Sequence, residues 1–375
     1  MKRAIVVFLA GALIALAGCT AWFGPVPAPT ASISPSSTGS ADEAAPDPGR
    51  PGLRIDIDCG DLVGVYDLGQ HLSGAVLQEG GAARQGAPSM SDEFVIAQAR
   101  GITCDWSAPG GRGALHIALL FNARPLWNDI ARVSEREADP LLRCNSYHHW
   151  DHEAAEASAC SFEGPAGAHW VELRATDIDM GVWASDEELT DAVTPILTRI
   201  LDVIRQARPN NPATQPSPRP LPHDCEQILR VAEVNDIGTF GTHEAYSDGI
   251  EFTQRVGSIA GAASWVAGAP FCGLVGRTRY PLYLEILPGG AWALHETLDD
   301  PALDPAIPVV LEGLLPGDGA WSRCGASLCE FNLDLGGNWV QLSVSTWEET
   351  MTEDQQRVLL AGLTSAATIV VEQVG

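Results

Sequence analysis

Behind Lys2 and Arg3 the chain opens on an almost uninterrupted apolar run from Ala4 to Leu16, too short to span a bilayer as a permanent helix. From Thr20 to about Gly52 the pattern dissolves into Pro, Ser, Ala and Thr, with acids at Asp42, Glu43 and Asp47. Such a stretch cannot bury a core and predicts a disordered stalk. Periodic segments then resume, interrupted once by Pro209 to Pro222, whose six prolines predict a semi-rigid spacer. The expected divisions are a signal peptide over 1–18, a stalk over 19–52, a first domain over 53–208, a Pro-rich linker over 209–221 and a second domain over 222–375.

The two long segments share landmarks in one order. Asp58-Cys59-Gly60-Asp61-Leu62 and Asp224-Cys225-Glu226-Gln227-Ile228 each predict the start of an amphipathic helix. Cys104 and Cys272 follow, leading into apolar strand-like runs, Leu115 to Phe121 and Leu282 to Leu287, after which Trp127 and Trp292 open a helix-like segment. Cys160-Ser161-Phe162 precedes Trp170-Val171-Glu172-Leu173 by ten residues, and Cys329-Glu330-Phe331 precedes Trp339-Val340-Gln341-Leu342 by the same ten. Both pairs alternate apolar and polar positions, which predicts half-buried antiparallel strands. Each half closes on a long helix: an apolar stripe from Leu189 through Val193, Ile196, Leu197, Ile200, Leu201 and Ile204 behind Ser185, and another from Leu359 through Leu363, Ala366, Val370 and Val374 behind Thr352. The expected fold class is α+β, two tandem repeats of an antiparallel sheet packed with helices.

The leader ends in Leu16-Ala17-Gly18-Cys19, which resembles the bacterial lipoprotein signal. That resemblance implies a diacylglyceryl group on the Cys19 thiol, cleavage before it, and further acylation such as palmitate at the new N-terminus. Two or three acyl chains anchor stably, at about 0.8 kcal/mol per buried CH₂. Without Lys2 and Arg3, 20 basic residues face 48 acidic ones, a net charge of about −28. So acidic a surface repels nucleic acid and anionic headgroups, so the hold on the membrane is expected to come from the acyl chains.

Lys2 is the only lysine in the chain. Without another there is no Schiff base, no Ser-x-x-Lys site and no P-loop lysine, and neither a Gly-x-Ser-x-Gly elbow nor a His-Glu-x-x-His helix is present. Eight cysteines remain outside the leader, four per half, an even count that implies disulfides in an exported protein. One closed set per half leaves three pairings in each. The repeat alignment favours Cys59–Cys104 with Cys225–Cys272, and Cys144–Cys160 with Cys324–Cys329.

One cluster has ligand chemistry: Tyr147-His148-His149-Trp150-Asp151-His152-Glu153. In a helix His148 and His152 share a face, and with His149, Asp151 or Glu156 nearby they suit zinc or copper. The bland reading is an exposed polar loop, and the matching loop of the second half, Gly325 to Leu328, has no histidine. Asp56, Asp58 and Asp61, and Asp299, Asp300 and Asp304, offer oxygens to calcium without EF-hand spacing, so solvated turns are the default. Trp106, Trp127, Trp170, Trp265, Trp292 and Trp339 are expected in the core.

The lipobox, the stalk and the Cys-bearing helix leading to Cys104-Asp105-Trp106 resemble the surface lipoproteins of high-GC Gram-positive (actinobacterial) bacteria with tandem disulfide-bonded, sensor-like domains. The second half departs from that pattern at Leu274, where a tryptophan would sit. The resemblance implies an extracytoplasmic, membrane-anchored location and a ligand-binding or scaffolding role. The leading expectation is therefore a non-enzymatic binding or envelope-scaffolding module that meets the membrane through Cys19 and takes an unknown envelope ligand or protein, with no nucleic acid. The alternative is a metal-binding or metal-sensing lipoprotein using His148, His149 and His152. A more distant one is a hydrolase with a dispersed site.

Overall fold

The computed structural model describes residues 49–64, 76–78, 88–108, 113–133, 142–147, 157–176, 186–211, 215–222, 224–247, 258–277, 280–346 and 350–374. The leader with Cys19, nearly all of the stalk, Ser185, and the cluster at His148, His149 and His152 lie outside the described residues.

The first half runs α1 (Cys59–Leu62), β1 (Val76–Gln78), α2 (Asp92–Gln98), β2 (Ile102–Ser107), β3 (Ala114–Leu120), α3 (Arg124–Val133), β4 (Arg143–Tyr147), β5 (Ala157–Ala166), β6 (His169–Thr176) and α4 (Asp186–Gln206). The second runs α5 (Cys225–Ile228), α6 (Val231–Ile237), β7 (Thr242–Ser247), α7 (Ile259–Ala267), β8 (Phe271–Arg277), β9 (Leu282–Leu287), α8 (Ala291–Leu298), β10 (Ile307–Pro308), β11 (Gly319–Cys324), β12 (Leu328–Leu335), β13 (Asn338–Ser345) and α9 (Glu353–Val374). The strands pair antiparallel in the order β1-β2-β3-β6-β5-β4 in one sheet and β7-β8-β9-β13-β12-β11-β10 in the other. Apart from the added edge strand β10, the second order repeats the first. The protein is α+β, a tandem repeat of one sheet-and-helix unit.

Cystines brace each unit at equivalent points. Cys59 on α1 joins Cys104 on β2, and Cys225 on α5 joins Cys272 on β8. Cys144 and Cys160 face each other across β4 and β5, as Cys324 and Cys329 do across β11 and β12. The opening helices are shorter than their pattern predicts. α1 is one turn, capped by reciprocal bonds of 3.0 Å between Asp58 and Asp61, and Val63 is already extended. Val63-Gly64-Val65 is a poor helix former, which explains the stop.

One face of each sheet carries the unit's own core. Ile117, Leu119, Val171 and Leu173 pack under Leu189, Val193, Leu197, Ile200 and Ile204 of α4. Leu284, Ile286, Phe331, Leu333, Val340 and Leu342 pack under Leu359, Leu363, Ala366, Val370 and Val371 of α9. Thr352 and Gln355 form a capping box at the start of α9. Among the described residues α9 alone is long and apolar enough to cross a bilayer, but its apolar stripe is spent on the sheet. Gly362 permits close seating of α9 against the turn that precedes β7, since a Cβ there would come within 2.8 Å of Thr239.

The opposite face of the second sheet, polar in its pattern, is not wet. Every residue of β12, and all but the last of β13, is buried, including Glu330, Asn332, Gln341 and Ser343. What covers them is the other half. Ala45–Gly375 gathers into one compact unit, and a third core at its centre draws on both repeats: Val95, Ile96, Trp127, Ile130 and Trp170 with Ile259, Ala262, Leu287, Trp292 and Trp339. The Pro-rich segment is tied down as well. Arg219 donates its backbone N–H to Gly336 and accepts from Asn338 Nδ2, both at 2.8 Å, and Gln215 Nε2 reaches the Gly49 carbonyl.

A cleft where the two repeats meet

The junction is built from α2 and α7, which cross between the sheets. Phe94 of α2 enters the second repeat and meets Trp292 and Trp339 edge-on, each at 5.8 Å. Gln98, one turn on, accepts from Trp292 Nε1 at 2.8 Å and donates to the Pro288 carbonyl at 2.7 Å. Just before α2, the Ser89 backbone N–H donates to Glu330 Oε2 at 3.0 Å, and Gln341 Nε2 donates to Ser89 Oγ at 2.8 Å. Gln341 Nε2 also approaches Glu330 and Asn332 at 3.1 Å, and Trp339 Nε1 donates to Asn332. Arg323 Nε lies 3.4 Å from Glu330 Oε1. A buried polar network thus locks the segment before α2 onto the second sheet, with Arg323 Nε and Nη1 and Gln341 Oε1 left without hydrogen-bond partners.

Beside this network a cavity of about 340 Å³ opens between α2, α7 and the β8–β9 pair. Met90, Asp92 and Val95 line it from the first repeat. Ser258, Gly261, Ser264, Trp265, Pro270, Phe271, Glu285 and Ile286 are among its residues from the second. α2 and α7 are equivalent helices, each preceded by a serine in extended conformation, Ser91 and Ser258. Three residues after that serine the first repeat carries Phe94 and the second Gly261. The missing side chain leaves room for the cleft. At the seventh position Gln98 is matched by Trp265, which is 63% exposed at the rim. Trp265 therefore departs from the expected core placement, while Trp106, Trp127, Trp170, Trp292 and Trp339 are buried.

Charge on the cleft wall is one-sided. Glu285 sits on β9 directly across from Gln341 of β13, so the two side chains leave the sheet on the same face. Burial, then the negative charges of Asp92 and Glu330, push the Glu285 carboxyl from 4.5 up to about 8. Asp92 lies at the mouth with much of its surface in water. Burial also raises its carboxyl, but Arg174 and His116 draw it back. Glu330 is raised by burial and relieved by Ser89, Arg323 and Asn332. Among the described residues Glu285 has no compensating cation. Gln341 Oε1, on a side chain 1% exposed, has no hydrogen-bond donor.

The equivalent face of the first sheet holds a different set: His116 Nδ1 lies 2.8 Å from Asp105, and Arg174 pairs with Glu172. Burial lowers the His116 imidazole, but the hydrogen bond and charge of Asp105, with Glu172, outweigh it and leave it raised. Two serines line the cleft, Ser258 and Ser264. The Ser264 hydroxyl donates to the Ala260 carbonyl at 3.1 Å, and the Ser258 hydroxyl accepts from the Gly261 N–H at 3.2 Å. No histidine is among the residues lining it.

Among the described residues, none of the acids singled out for ligand chemistry lines this cleft. Asp58 and Asp61 cap α1, Asp300 accepts from the Ala302 N–H at 2.8 Å in a turn, and Asp304 sits against Gly325. Among the described residues no three His, Cys, Asp or Glu side chains gather closely enough to hold a metal ion. Glu285 was legible only as the polar position in the alternating Leu282–Leu287 run.

No family model matches the chain, and no curated protein does. Two solved structures show distant likenesses. A protein of the dynemicin biosynthetic locus, DynU16, is 12% identical over 80% of this chain and 96% of its own, with a TM-score of 0.13. The di-domain ARO/CYC StfQ of the steffimycin biosynthetic pathway is 8% identical over 80% and 95%, with a TM-score of 0.16. At those scores neither carries an argument about this protein.

Proposed function

We propose that this chain is a lipid-anchored, extracytoplasmic, non-enzymatic binding protein of the cell envelope. Cys19 tethers it, and its two fused repeats hold a small ligand between them. The observation that carries the binding role is the cleft lined by both repeats, in the position where a duplicated fold places a shared site. The Ser264 hydroxyl, committed to the Ala260 carbonyl, favours binding over hydrolysis. The lipobox supports the tether. In cells, Cys19→Ala should abolish incorporation of a fatty-acid label and release the protein from the membrane fraction. Retention of label would sink the anchor.

Binding is tested by thermal denaturation of the exported protein against a panel of small amphiphiles. A ligand at about 100 times its Kd adds about 2.7 kcal/mol. That gain should vanish in Gly261→Phe, which restores in α7 the ring that α2 carries at Phe94. A panel that stabilises wild type and variant alike would refute the cleft as the site.

A second reading stays open through the Cys144–Cys160 cystine, which closes the loop bearing His148, His149 and His152. Under it, that loop holds zinc or copper. Metal analysis of the purified protein should find a stoichiometric ion that His148→Ala/His152→Ala removes; no ion in the wild type removes the reading.

A further inference from the structure

The cleft is mostly apolar in its walls, and its one deep carboxylate stands without a counter-charge. Glu285 reaches the cavity from β9. The groups facing it are Asp92 from α2, Glu330 from β12 and Gln341 from β13; Arg323 of β11 pairs with Glu330 and donates from Nη2 to the Thr297 carbonyl, while its Nε and Nη1 lack hydrogen-bond acceptors. Beside Glu285, Gln341 Oε1 is a buried acceptor with no donor, which ordinarily costs about 1–3 kcal/mol. In the cavity itself the carboxyl of Glu285 asks for a group that brings positive charge and N–H donors together. Phe271 and Val95 offer walls for an apolar body, and the Trp265 indole at the rim gives a face attractive to cations. An inorganic divalent ion fits poorly, because calcium takes six to eight oxygens and magnesium a full octahedron.

Resting on the reading of the cleft as a ligand site, we propose that its occupant is an organic cation. Its protonated amine sits against Glu285, and its apolar body fills the space beside Gly261 and Phe271. Recognition is electrostatic at the inner end and hydrophobic along the walls. Because the free carboxyl is held in its acid form at neutral pH, the cation must displace a proton from Glu285 on entry. Affinity for the amine therefore rises with pH until the free carboxyl is ionised.

The test uses the full chain in nanodiscs at about 0.15 M salt, where long-range attraction by the acidic surface is largely screened. Calorimetric Kd values are measured for 2-phenylethylamine and its neutral counterpart 2-phenylethanol, with empty nanodiscs as the blank. In the wild type the amine should bind at least tenfold more tightly at pH 8 than at pH 6, and the alcohol equally at both. Glu285→Gln should weaken the amine at pH 8 at least tenfold, flatten its pH dependence and leave the alcohol within twofold. Gly261→Phe should weaken both. Equal binding of amine and alcohol, or an amine indifferent to Glu285→Gln, overturns the cation and leaves the cleft standing. Binding of neither overturns cation and cleft together.

Discussion

Replacing Glu285 by Gln should make the protein more stable above pH 4.5 and change nothing below it. The carboxyl titrates near 4.5 in the unfolded chain and near 8 in the folded one. Its folded pKa is raised, so the folded state binds the proton more tightly. Between those values the unfolded chain has released its proton while the folded protein keeps it. Stability is complete at low pH, falls as pH climbs from 4.5 to 8, and stays low beyond. The span of about 3.5 units corresponds to a ceiling of about 5 kcal/mol, at 1.36 kcal/mol per unit. Relaxation and water entry through the cleft should reduce the measured figure to about 2–3 kcal/mol. Asp92, Glu93 and Glu330, whose carboxyls are also raised, contribute to the pH dependence of both proteins and largely cancel in the difference. Denaturant titrations of wild type and Glu285→Gln from pH 4 to pH 9, with equal m-values, give the comparison. Curves that run parallel across that range would show that Glu285 is solvated, and would remove the basis for its role in the cleft.

The other expectations concern the joints of the fold. Gln98→Ala withdraws the partners of Trp292 Nε1 and the Pro288 carbonyl, and should cost about 3 kcal/mol by denaturant titration, mostly from stranding buried polar groups. A neutral result would mean that water replaces the amide. The cystines should rank by the chain they close. Losing Cys59–Cys104, 45 residues apart, should cost about 4 kcal/mol, and losing Cys324–Cys329, five apart, about 2. Paired Cys→Ala variants followed by thermal denaturation test this, and the reverse order would contradict the chain-entropy account.

Much of the fold could be read from residue spacing, because cystines and tryptophans are rigid landmarks whose intervals survive divergence. Cys160 to Trp170 and Cys329 to Trp339 both span a hairpin, and a hairpin has little freedom in length. The alternation in β12 and β13 placed Phe331, Leu333, Val340 and Leu342 on the core side, where they are. It also made Glu330, Asn332 and Gln341 look solvated, because one strand's pattern records only that its second face is polar. Whether water or another polar surface covers that face depends on a partner more than two hundred residues away: Ser89 lies 241 positions before Glu330. The cleft was hidden for the same reason. α2 and α7 are short and weakly patterned, and the difference between Phe94 and Gly261 acquires meaning only once the helices superimpose. Repeat-matched spacing predicts a core place for Trp265, and the structure puts it at the rim.

Phe94 has a consequence for how such a molecule can evolve. Once one copy of a duplicated fold inserts a ring into its sibling and the sibling does not reciprocate, the copies stop being interchangeable. Each can then change only in step with the other, and neither can be lost or exported alone without baring an aromatic socket or an orphaned plug. The asymmetry converts a repetition into a division of labour. One copy furnishes the wedge and the other keeps the vacancy.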